Sequence, residues 1–122
     1  MGKIYNFLII DDDKDDLDLL REDLVSKGHS VQACLYFAEF WDKLQNDNPN
    51  VVIIDMVNPE MPGWQVCERV SRNTGHKGVK VLLVSGILDK EDIKRMQLKA
   101  DGYLTKPVSA EDVEAILEKL SD

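Results

Sequence analysis

Short apolar runs alternate along the chain with longer segments in which apolar residues recur at helical spacing. The short runs are rich in β-branched and aliphatic residues, as the strands of a parallel sheet are when both faces are covered. They occupy 3–10, 30–34, 51–54, 79–84 and 102–105. Amphipathic helices are predicted at 14–27, from 37 to Asn48-Pro49, at 64–73, at 89–98, and after Ser109, which can cap the last one.

This alternation of five strands with five helices predicts an α/β fold, with a parallel sheet, right-handed crossovers and helices on both faces. We expect 1–122 to form a single domain without an appended output domain. No apolar run approaches the roughly 20 residues of a membrane span, and no signal-peptide pattern begins the chain. Cys34 and Cys67 are expected to be buried, reduced thiols in a cytoplasmic protein.

The balance of charge is acidic, with a net charge of −8 and a pI near 4.7. It argues against direct nucleic acid binding, because contacts with phosphates need clustered lysine and arginine. Residues 11–23 contain eight carboxylates against Lys14 and Arg21. A solvated helix face explains part of this segment, but it does not explain three consecutive aspartates directly after an apolar strand.

Polar side chains follow four of the predicted strands at the point where each strand ends. Asp11 and Asp12 follow the first strand, Asp55 the third, Ser85 the fourth and Lys106 the fifth. The carboxyl ends of parallel strands meet at one edge of the sheet, where α/β proteins bind ligands. Carboxylates crowded there repel one another, and a hard cation such as Mg²⁺ resolves that conflict. A carboxylate beside Mg²⁺, a lysine and a hydroxyl has the groups needed to attack phosphorus and form an acyl phosphate.

With these residues in place, the chain resembles the receiver domains of two-component response regulators over essentially its whole length. The resemblance rests on four segments: Phe7-Leu8-Ile9-Ile10-Asp11-Asp12-Asp13, Ile53-Ile54-Asp55 with Pro59 and Gly63 behind it, Val84-Ser85-Gly86, and Gly102-Tyr103-Leu104-Thr105-Lys106-Pro107. It implies a flavodoxin-like fold, with strands in the order 2-1-3-4-5 and five helices around them. A stand-alone receiver of the chemotaxis type is the form that it favours.

The resemblance also implies which residues carry the metal and phosphoryl chemistry. Asp55 matches the aspartate that accepts a phosphoryl group from a histidine kinase or a histidine phosphotransfer protein. Asp12 matches the residue that binds Mg²⁺ directly, and Asp11 the one that usually acts through water. Val57 matches the position that lends a backbone carbonyl to the metal. Together with Asp55, these residues form the implied Mg²⁺ site.

Three further residues match positions that respond to the phosphoryl group. Ser85 matches a switch hydroxyl, which is more often threonine, and Lys106 a lysine whose bond to the following proline, here Pro107, is commonly cis. Tyr103 matches an aromatic residue that changes rotamer with the switch. Phosphorylation would then alter the face made by the fourth helix, fifth strand and fifth helix, which binds partners.

The implied function is that of a phosphoacceptor in two-component or phosphorelay signalling to a downstream protein target. Such a protein assists its own phosphorylation and dephosphorylation, but it is not a turnover enzyme, and we expect no direct nucleic acid binding and no membrane insertion. Two alternatives belong to other classes. Asp11-x-Asp13 is similar to the nucleophile motif of haloacid-dehalogenase-like phosphatases, although Lys14 departs from that motif. The other alternative is a phosphorylation-independent interaction domain with the same fold.

The chain departs from the family pattern in two regions. Lys99 stands where a helix-ending glycine is common, and the span from Ser85 to Lys106 is one residue short, so we expect a shortened or irregular fourth helix. The segment Leu35-Tyr36-Phe37 is apolar where the loop is usually polar. These side chains either fold back over the second helix or form a patch for partner docking or weak self-association.

The lifetime of the phosphoryl group is predicted from two apolar positions. Val57 and Ile87 lie two residues after Asp55 and Ser85, and in the family both positions flank the path of the hydrolytic water. Apolar side chains offer that water no hydrogen bond, so we predict slow self-dephosphorylation.

Several other side chains are interpreted as structural. Trp41 and Trp64 are predicted to be packing residues, and Leu19 lies off the apolar stripe of the first helix and is expected to be exposed. His29 and His76 are predicted to lie in surface loops, without a catalytic partner.

Overall fold

A computed structural model describes residues 2–73, 78–86, 91, 94 and 100–121 of the chain. Five strands form one sheet, in which every neighbouring pair is parallel. In chain order the elements are β1 (Asn6–Ile10), α1 (Lys14–Ser26), β2 (Ser30–Cys34), α2 (Phe37–Asn46), β3 (Val51–Asp55), α3 (Gly63–Asn73), β4 (Lys80–Ser85), β5 (Gly102–Thr105) and the C-terminal helix (Ala110–Leu120). The strand order is β2-β1-β3-β4-β5, which confirms the predicted doubly wound topology.

Two hydrophobic layers cover the sheet, one on each face. Successive residues of a strand point to opposite faces. Leu8 and Val52 therefore lie in the layer formed with α2 and α3, whereas Phe7 and Val51 lie in the layer formed with α1 and the C-terminal helix. All five residues of β3 are buried, including the charged Asp55 at its end. The apolar layers on both sides thus hold a carboxylate inside the protein at the sheet edge.

Side-chain caps fix where the two helices beside that edge begin. The carboxylate of Asp13 accepts hydrogen bonds from the amides of Asp15 and Asp16 at 3.0 and 3.1 Å, which caps α1. Ser109 forms a capping box with Asp112 at the start of the C-terminal helix, as predicted. Both helices follow strands that end in predicted site residues, so the caps set the direction in which the chain leaves that edge.

The observed elements follow the sequence prediction closely, with one shortened strand and one region that the structure leaves undescribed. β1 begins at Asn6, three residues later than predicted, although the carbonyl of Tyr5 still accepts a hydrogen bond from the amide of Ser30 on β2 at 3.1 Å. The helix predicted at 89–98, with Lys99 after it, lies outside the described residues except for Glu91 and Lys94, whose backbone is helical. The positions of Ile87 and His76 also lie outside them.

Several packing predictions are confirmed. Cys34 and Cys67 are buried free thiols, and burial raises the pKa of each to about 12. Trp41 and Trp64 pack against the layer formed with α2 and α3, and Leu19 is exposed. In the described part of the chain, no helix has both the length and the apolar character needed to cross a membrane.

His29 is buried, which corrects the prediction that it lies in a surface loop; the residue is 5% exposed. Its Nδ1 accepts a hydrogen bond from the amide of Tyr5 at 3.0 Å, and its Nε2 lies 2.8 Å from a carboxylate oxygen of Glu114. Because Nδ1 accepts, we assign the ring proton to Nε2, which donates to Glu114. The ring also meets Phe7 edge-on at 5.1 Å. His29 therefore joins the start of the sheet to the C-terminal helix.

The segment Leu35-Tyr36-Phe37 does not form a continuous exposed patch. Phe37 is buried, with its ring 5.7 Å from that of Phe40 and 5.9 Å from that of Trp41. Leu35 packs against the layer on the other face of the sheet. Tyr36 is 66% exposed. The packing alternative thus holds for Phe37, and the surface available for docking or self-association in this segment reduces to Tyr36.

Replacing His29 with leucine is expected to destabilise the protein by about 1–3 kcal/mol, because the half-buried amide of Tyr5 loses its acceptor. The free energy of unfolding in urea measures this change. The matched control is Glu114→Gln, which keeps an acceptor for Nε2 on a side chain that is 34% exposed. It should cost no more than about 1 kcal/mol. Wild-type stability of His29→Leu would contradict the assigned hydrogen bonds.

Candidate functional site

The parallel register brings the predicted site residues together at one edge of the sheet. Ile10 on β1 faces Ile54 on β3. Asp11 and Asp55 directly follow these two residues, so they lie at the same level of the sheet edge. Ser85 faces Thr105 across β4 and β5, which places Lys106 one residue beyond Ser85. Strand pairing therefore brings residues up to 95 positions apart in the sequence to the same edge of the sheet.

Backbone hydrogen bonds carry the sheet into this region. The amide of Met56 donates to the carbonyl of Val84 at 2.8 Å, and the amide of Lys106 donates to the carbonyl of Ser85 at 2.8 Å. In each bond the donor is the residue directly after the last paired residue of its strand. The main chain that carries the site is therefore held in the sheet, which positions side chains more accurately than an isolated loop would.

Asp11, Asp12 and Asp55 form an acidic cluster, in which one carboxylate oxygen of each residue lies within 4.8 Å of the others. Asp11 and Asp55 are buried, and Asp12 is exposed. Oδ1 of Asp11 accepts from the amide of Asp13 at 2.9 Å, and Oδ1 of Asp55 accepts from the amide of Val57 at 3.3 Å. The structure thus places side by side the three carboxylates that the sequence marked as metal ligands.

The charges in this cluster oppose one another. Burial, and then the neighbouring carboxylate of Asp11, raise the pKa of Asp55 from 3.8 to about 7. The cation of Lys106 lowers the pKa of Asp55, but by less than these two effects raise it. Near neutral pH the side chain of Asp55 is divided between acid and carboxylate. A divalent cation would relieve the repulsion, and a donor set made of oxygen atoms fits a hard cation.

Lys106 reaches the acidic cluster from the end of β5. Its Nζ lies 3.2 Å from Asp11, 3.2 Å from Asp16 and 3.7 Å from Asp55. Burial by itself would lower the pKa of Lys106, but the charges of Asp11 and Asp55, with hydrogen bonds to Asp11 and Asp16, raise it overall. One ammonium group is therefore shared among three carboxylates. The bond from Lys106 to Pro107 is cis, as the resemblance implied.

The other predicted residues surround this centre. Ser85 is buried at the end of β4. Tyr103 is half-buried on β5, packs against the layer formed with α2 and α3, and has its pKa raised by burial. The side chain of Val57 is 69% exposed, two residues after Asp55. Ile87 lies outside the described residues, so its predicted position beside the water path stays a prediction.

A tight loop from β3 to α3 borders the acidic cluster. The amide of Gly63 donates to the carbonyl of Met56 at 2.9 Å. A Cβ at Gly63 would lie 2.6 Å from Cα of Met56, so the close approach requires glycine. Oε1 of Glu60 accepts from the amide of Phe37 at 3.2 Å, and Oδ1 of the buried Asn58 accepts from the amide of Glu60 at 3.0 Å. These contacts fix the loop against both β3 and α2.

Asp16 belongs to the site without having been predicted from the sequence. Its carboxylate accepts a hydrogen bond from Nζ of Lys106, 90 positions away. Both residues line a cleft of about 260 Å³ whose walls are otherwise mainly apolar and include Leu19, Leu20, Pro107 and Val108. One feature of the sequence could have indicated Asp16. It lies in the first turn of a helix that starts at the sheet edge, and such a turn lies beside the strand ends.

The chain belongs to the response regulator receiver domain family, whose sequence profile matches residues 7–118. A curated relative, response regulator MprA of Mycobacterium sp. (strain KMS), is 30% identical over 113 residues, which make up 93% of this chain and 49% of the relative. The chain spans about half the length of the curated relatives that it matches. The family places it among the receiver domains of two-component signalling.

Solved structures show the same fold. The chemotaxis protein CheY4 of Vibrio cholerae has a TM-score of 0.87 at 22% identity, with 97% of this chain and 99% of that chain covered. The BeF3-activated receiver domain of DrrB, from Thermotoga maritima, has a TM-score of 0.80 at 23% identity, with 98% of each chain covered. These structures bear out the predicted flavodoxin-like architecture.

The raised pKa of Asp55 predicts how stability depends on pH in metal-free buffer. Between pH 3.8 and about 7 the folded protein holds a proton on Asp55 that the unfolded chain has lost, so this group stabilises the fold at low pH and its contribution falls as the pH rises through that window. Asp55→Asn, which is always neutral, should therefore be more stable than wild type by about 1–3 kcal/mol at about pH 8, and by much less at about pH 4.

Urea unfolding of the two proteins across this pH range, with a chelator present, measures the difference. Asp18→Asn is the matched control, because Asp18 lies on the outer part of α1 and pairs with Lys14 at 2.7 Å. Its stability difference from wild type should stay small at every pH. A wild type that is the more stable protein at high pH would contradict the assigned repulsion between Asp11 and Asp55.

Proposed function

We propose that Asp55 is the phosphoacceptor of this receiver domain. The observation that carries the proposal is a buried carboxylate at the end of β3 with Asp11 on one side and the ammonium of Lys106 at 3.7 Å. In the reaction, an oxygen of Asp55 attacks phosphorus and forms an acyl phosphate. The bond between phosphorus and the imidazole nitrogen of a phosphohistidine breaks at the same step, and the imidazole leaves.

Mg²⁺ is the proposed cofactor, held by Asp11, Asp12 and Asp55 with the backbone carbonyl of Val57. The acidic cluster supports this assignment, because its negative charge is what a cation would compensate. The pKa of Asp55, which burial and then the carboxylate of Asp11 raise, agrees with it. When bound, Mg²⁺ supplies positive charge against the phosphoryl oxygens and the carboxylates. The protein's own contribution is to hold these oxygen atoms at and just beyond the ends of two adjacent strands, β1 and β3.

Lys106 and Ser85 are proposed to bind the phosphoryl group once it is on Asp55. Lys106 supplies a cation that already contacts the acidic cluster, and Ser85 supplies a hydroxyl at the buried end of the neighbouring strand. Tyr103 is proposed to change rotamer as Ser85 turns. These movements would alter the face that includes β5 and the C-terminal helix, together with the helix predicted at 89–98.

The phosphatase alternative, with Asp11 as nucleophile, also needs Asp13 to act as an acid and base on the substrate. The carboxylate of Asp13 instead caps α1 through the amides of Asp15 and Asp16. These contacts favour Asp55 as the group that meets phosphorus.

The proposed partners are a histidine kinase or histidine phosphotransfer protein as donor and a downstream protein as target. We infer a cytoplasmic location, which the buried free thiols Cys34 and Cys67 support. We also predict that this domain does not turn over an external substrate and that it does not bind nucleic acid directly.

Incubation with Mg²⁺ and acetyl phosphate should add one phosphoryl group to wild type and none to Asp55→Asn, as measured by intact mass. Loss of the nucleophilic carboxylate removes the site of attack, while asparagine keeps the size of the side chain. A chelator should abolish the adduct on wild type. An adduct that survives in Asp55→Asn would contradict the assignment of Asp55.

Asp18→Asn serves as the matched control in that experiment, since it removes a carboxylate from α1 without touching the acidic cluster. It should be phosphorylated like wild type. Turnover of a phosphoester that depends on Asp11 would favour the phosphatase instead. An absence of any adduct, with the protein folded and Mg²⁺ present, would favour an interaction domain that works without phosphorylation.

The phosphoryl group on Asp55 is predicted to be long-lived, because Val57 and Ile87 offer no hydrogen bond to an attacking water. Val57→Asn should shorten its lifetime several-fold, as measured by the decay of the phosphorylated mass after acetyl phosphate is removed. Ile4→Asn is the matched control, because Ile4 is also 69% exposed but precedes β1 at the other end of the sheet. An unchanged lifetime in Val57→Asn would count against this prediction.

A further inference from the structure

We propose that Asp16 is a positioning residue for the phosphoryl chemistry: its carboxylate holds Lys106 and competes for that lysine with a phosphoryl group on Asp55. This inference rests on the proposed function of Asp55 as phosphoacceptor. It assigns a role to a residue that lies outside the acidic cluster and outside the set of groups matched by the family resemblance.

The contact distances carry the first step. Nζ of Lys106 lies 3.2 Å from Oδ2 of Asp16 and 3.7 Å from Oδ2 of Asp55. The contact with Asp16 is a hydrogen bond, whereas the separation from Asp55 exceeds hydrogen-bond length. Lys106 is therefore bound more closely by Asp16 than by the proposed phosphoacceptor.

The position of Asp16 is fixed by the helix that carries it. Asp16 lies in the first turn of α1, and its amide donates to the capping carboxylate of Asp13 at 3.1 Å. The cap anchors this turn beside the sheet edge. Asp16 can therefore act as a stationary partner, while the long flexible side chain of Lys106 moves.

Charge distinguishes Asp16 from the other two partners of Lys106. Asp11 and Asp55 belong to the acidic cluster, so a cation bound there would offset their attraction for Lys106. Asp16 is not part of that cluster and would keep its full attraction. In the metal-bound protein, a phosphoryl group on Asp55 would then compete mainly with Asp16 for the ammonium group of Lys106.

The exposure of the pair makes this competition reversible. The side chains of Lys106 and Asp16 are 25% and 48% exposed, so breaking their contact leaves a carboxylate that water can solvate. A partly exposed ion pair of this kind shifts an equilibrium by about two- to five-fold. Asp16 is therefore suited to adjust the affinity of the site for a phosphoryl group rather than to prevent its binding.

Binding of beryllofluoride in the presence of Mg²⁺ tests the inference without phosphoryl transfer, since this anion occupies the place of the phosphoryl group. Asp16→Asn should lower the half-saturating beryllofluoride concentration about two- to five-fold relative to wild type, as measured by calorimetry. The difference should shrink as the salt concentration rises, because salt screens the pair.

The matched control is Asp15→Asn, which removes the same charge from the same helix turn. The carboxylate of Asp15 is exposed, and no ion pair joins it to Lys106 in the described part of the chain. The half-saturating beryllofluoride concentration of Asp15→Asn should lie within about 1.5-fold of the wild-type value, because only the long-range effect of the lost charge remains. Asp16→Glu keeps the charge, so its half-saturating beryllofluoride concentration should be closer to the wild-type value than that of Asp16→Asn.

Equal tightening in Asp15→Asn and Asp16→Asn would overturn the inference, since net charge would then explain the result. Unchanged or weaker binding by Asp16→Asn would also overturn it, and Asp55 would remain the phosphoacceptor if wild type binds beryllofluoride. Failure of wild type to bind beryllofluoride, together with failure to form the acetyl phosphate adduct, would overturn the proposed function and this inference with it.

Discussion

Repulsion between two buried carboxylates, Asp11 and Asp55, is the constraint on which the rest of the site depends. Their strands are adjacent and parallel, and the register leaves both side chains at the same level of the sheet edge. Apolar layers on both faces prevent either group from moving into water. Lys106 reduces that repulsion by contacting both carboxylates.

The fold can hold such an unfavourable pair because the surrounding strands are buried and firmly paired. β3 is buried over its whole length, and the loop that follows it is closed by the Gly63 to Met56 hydrogen bond. The stability lost at the site is thus offset by apolar burial elsewhere, as is usual where strain or charge is concentrated at a functional site.

The strands and the acidic cluster could be predicted from the residues, because each depends on local pattern or on parallel pairing, whereas the strand order came from the resemblance to receiver domains. A run such as Val51–Ile54 is recognisable by itself, and the residue after it must lie at the sheet edge. Asp16 and His29 could not be predicted in this way. Their partners, Lys106 and Glu114, are 90 and 85 residues away, and only the packing of α1 beside the C-terminal helix brings them together.

These long-range contacts form a row along one side of the molecule. Asp16 binds Lys106 at the start of α1, and Asp23, further along α1, accepts from the amide of Ala110 at 2.7 Å. The third contact joins His29, after the end of α1, to the C-terminal helix.

The row bears on how a change at the site spreads through the fold. The two contacts of Asp23 and His29 hold the C-terminal helix itself, whereas the contact of Asp16 holds the residue at the strand end. On the proposed function, movement of Lys106 toward a phosphoryl group on Asp55 would break the Asp16 contact, and neither of the other two contacts involves Lys106. The loop from Lys106 to Ser109 connects the Asp16 contact to the C-terminal helix, which the other two contacts hold.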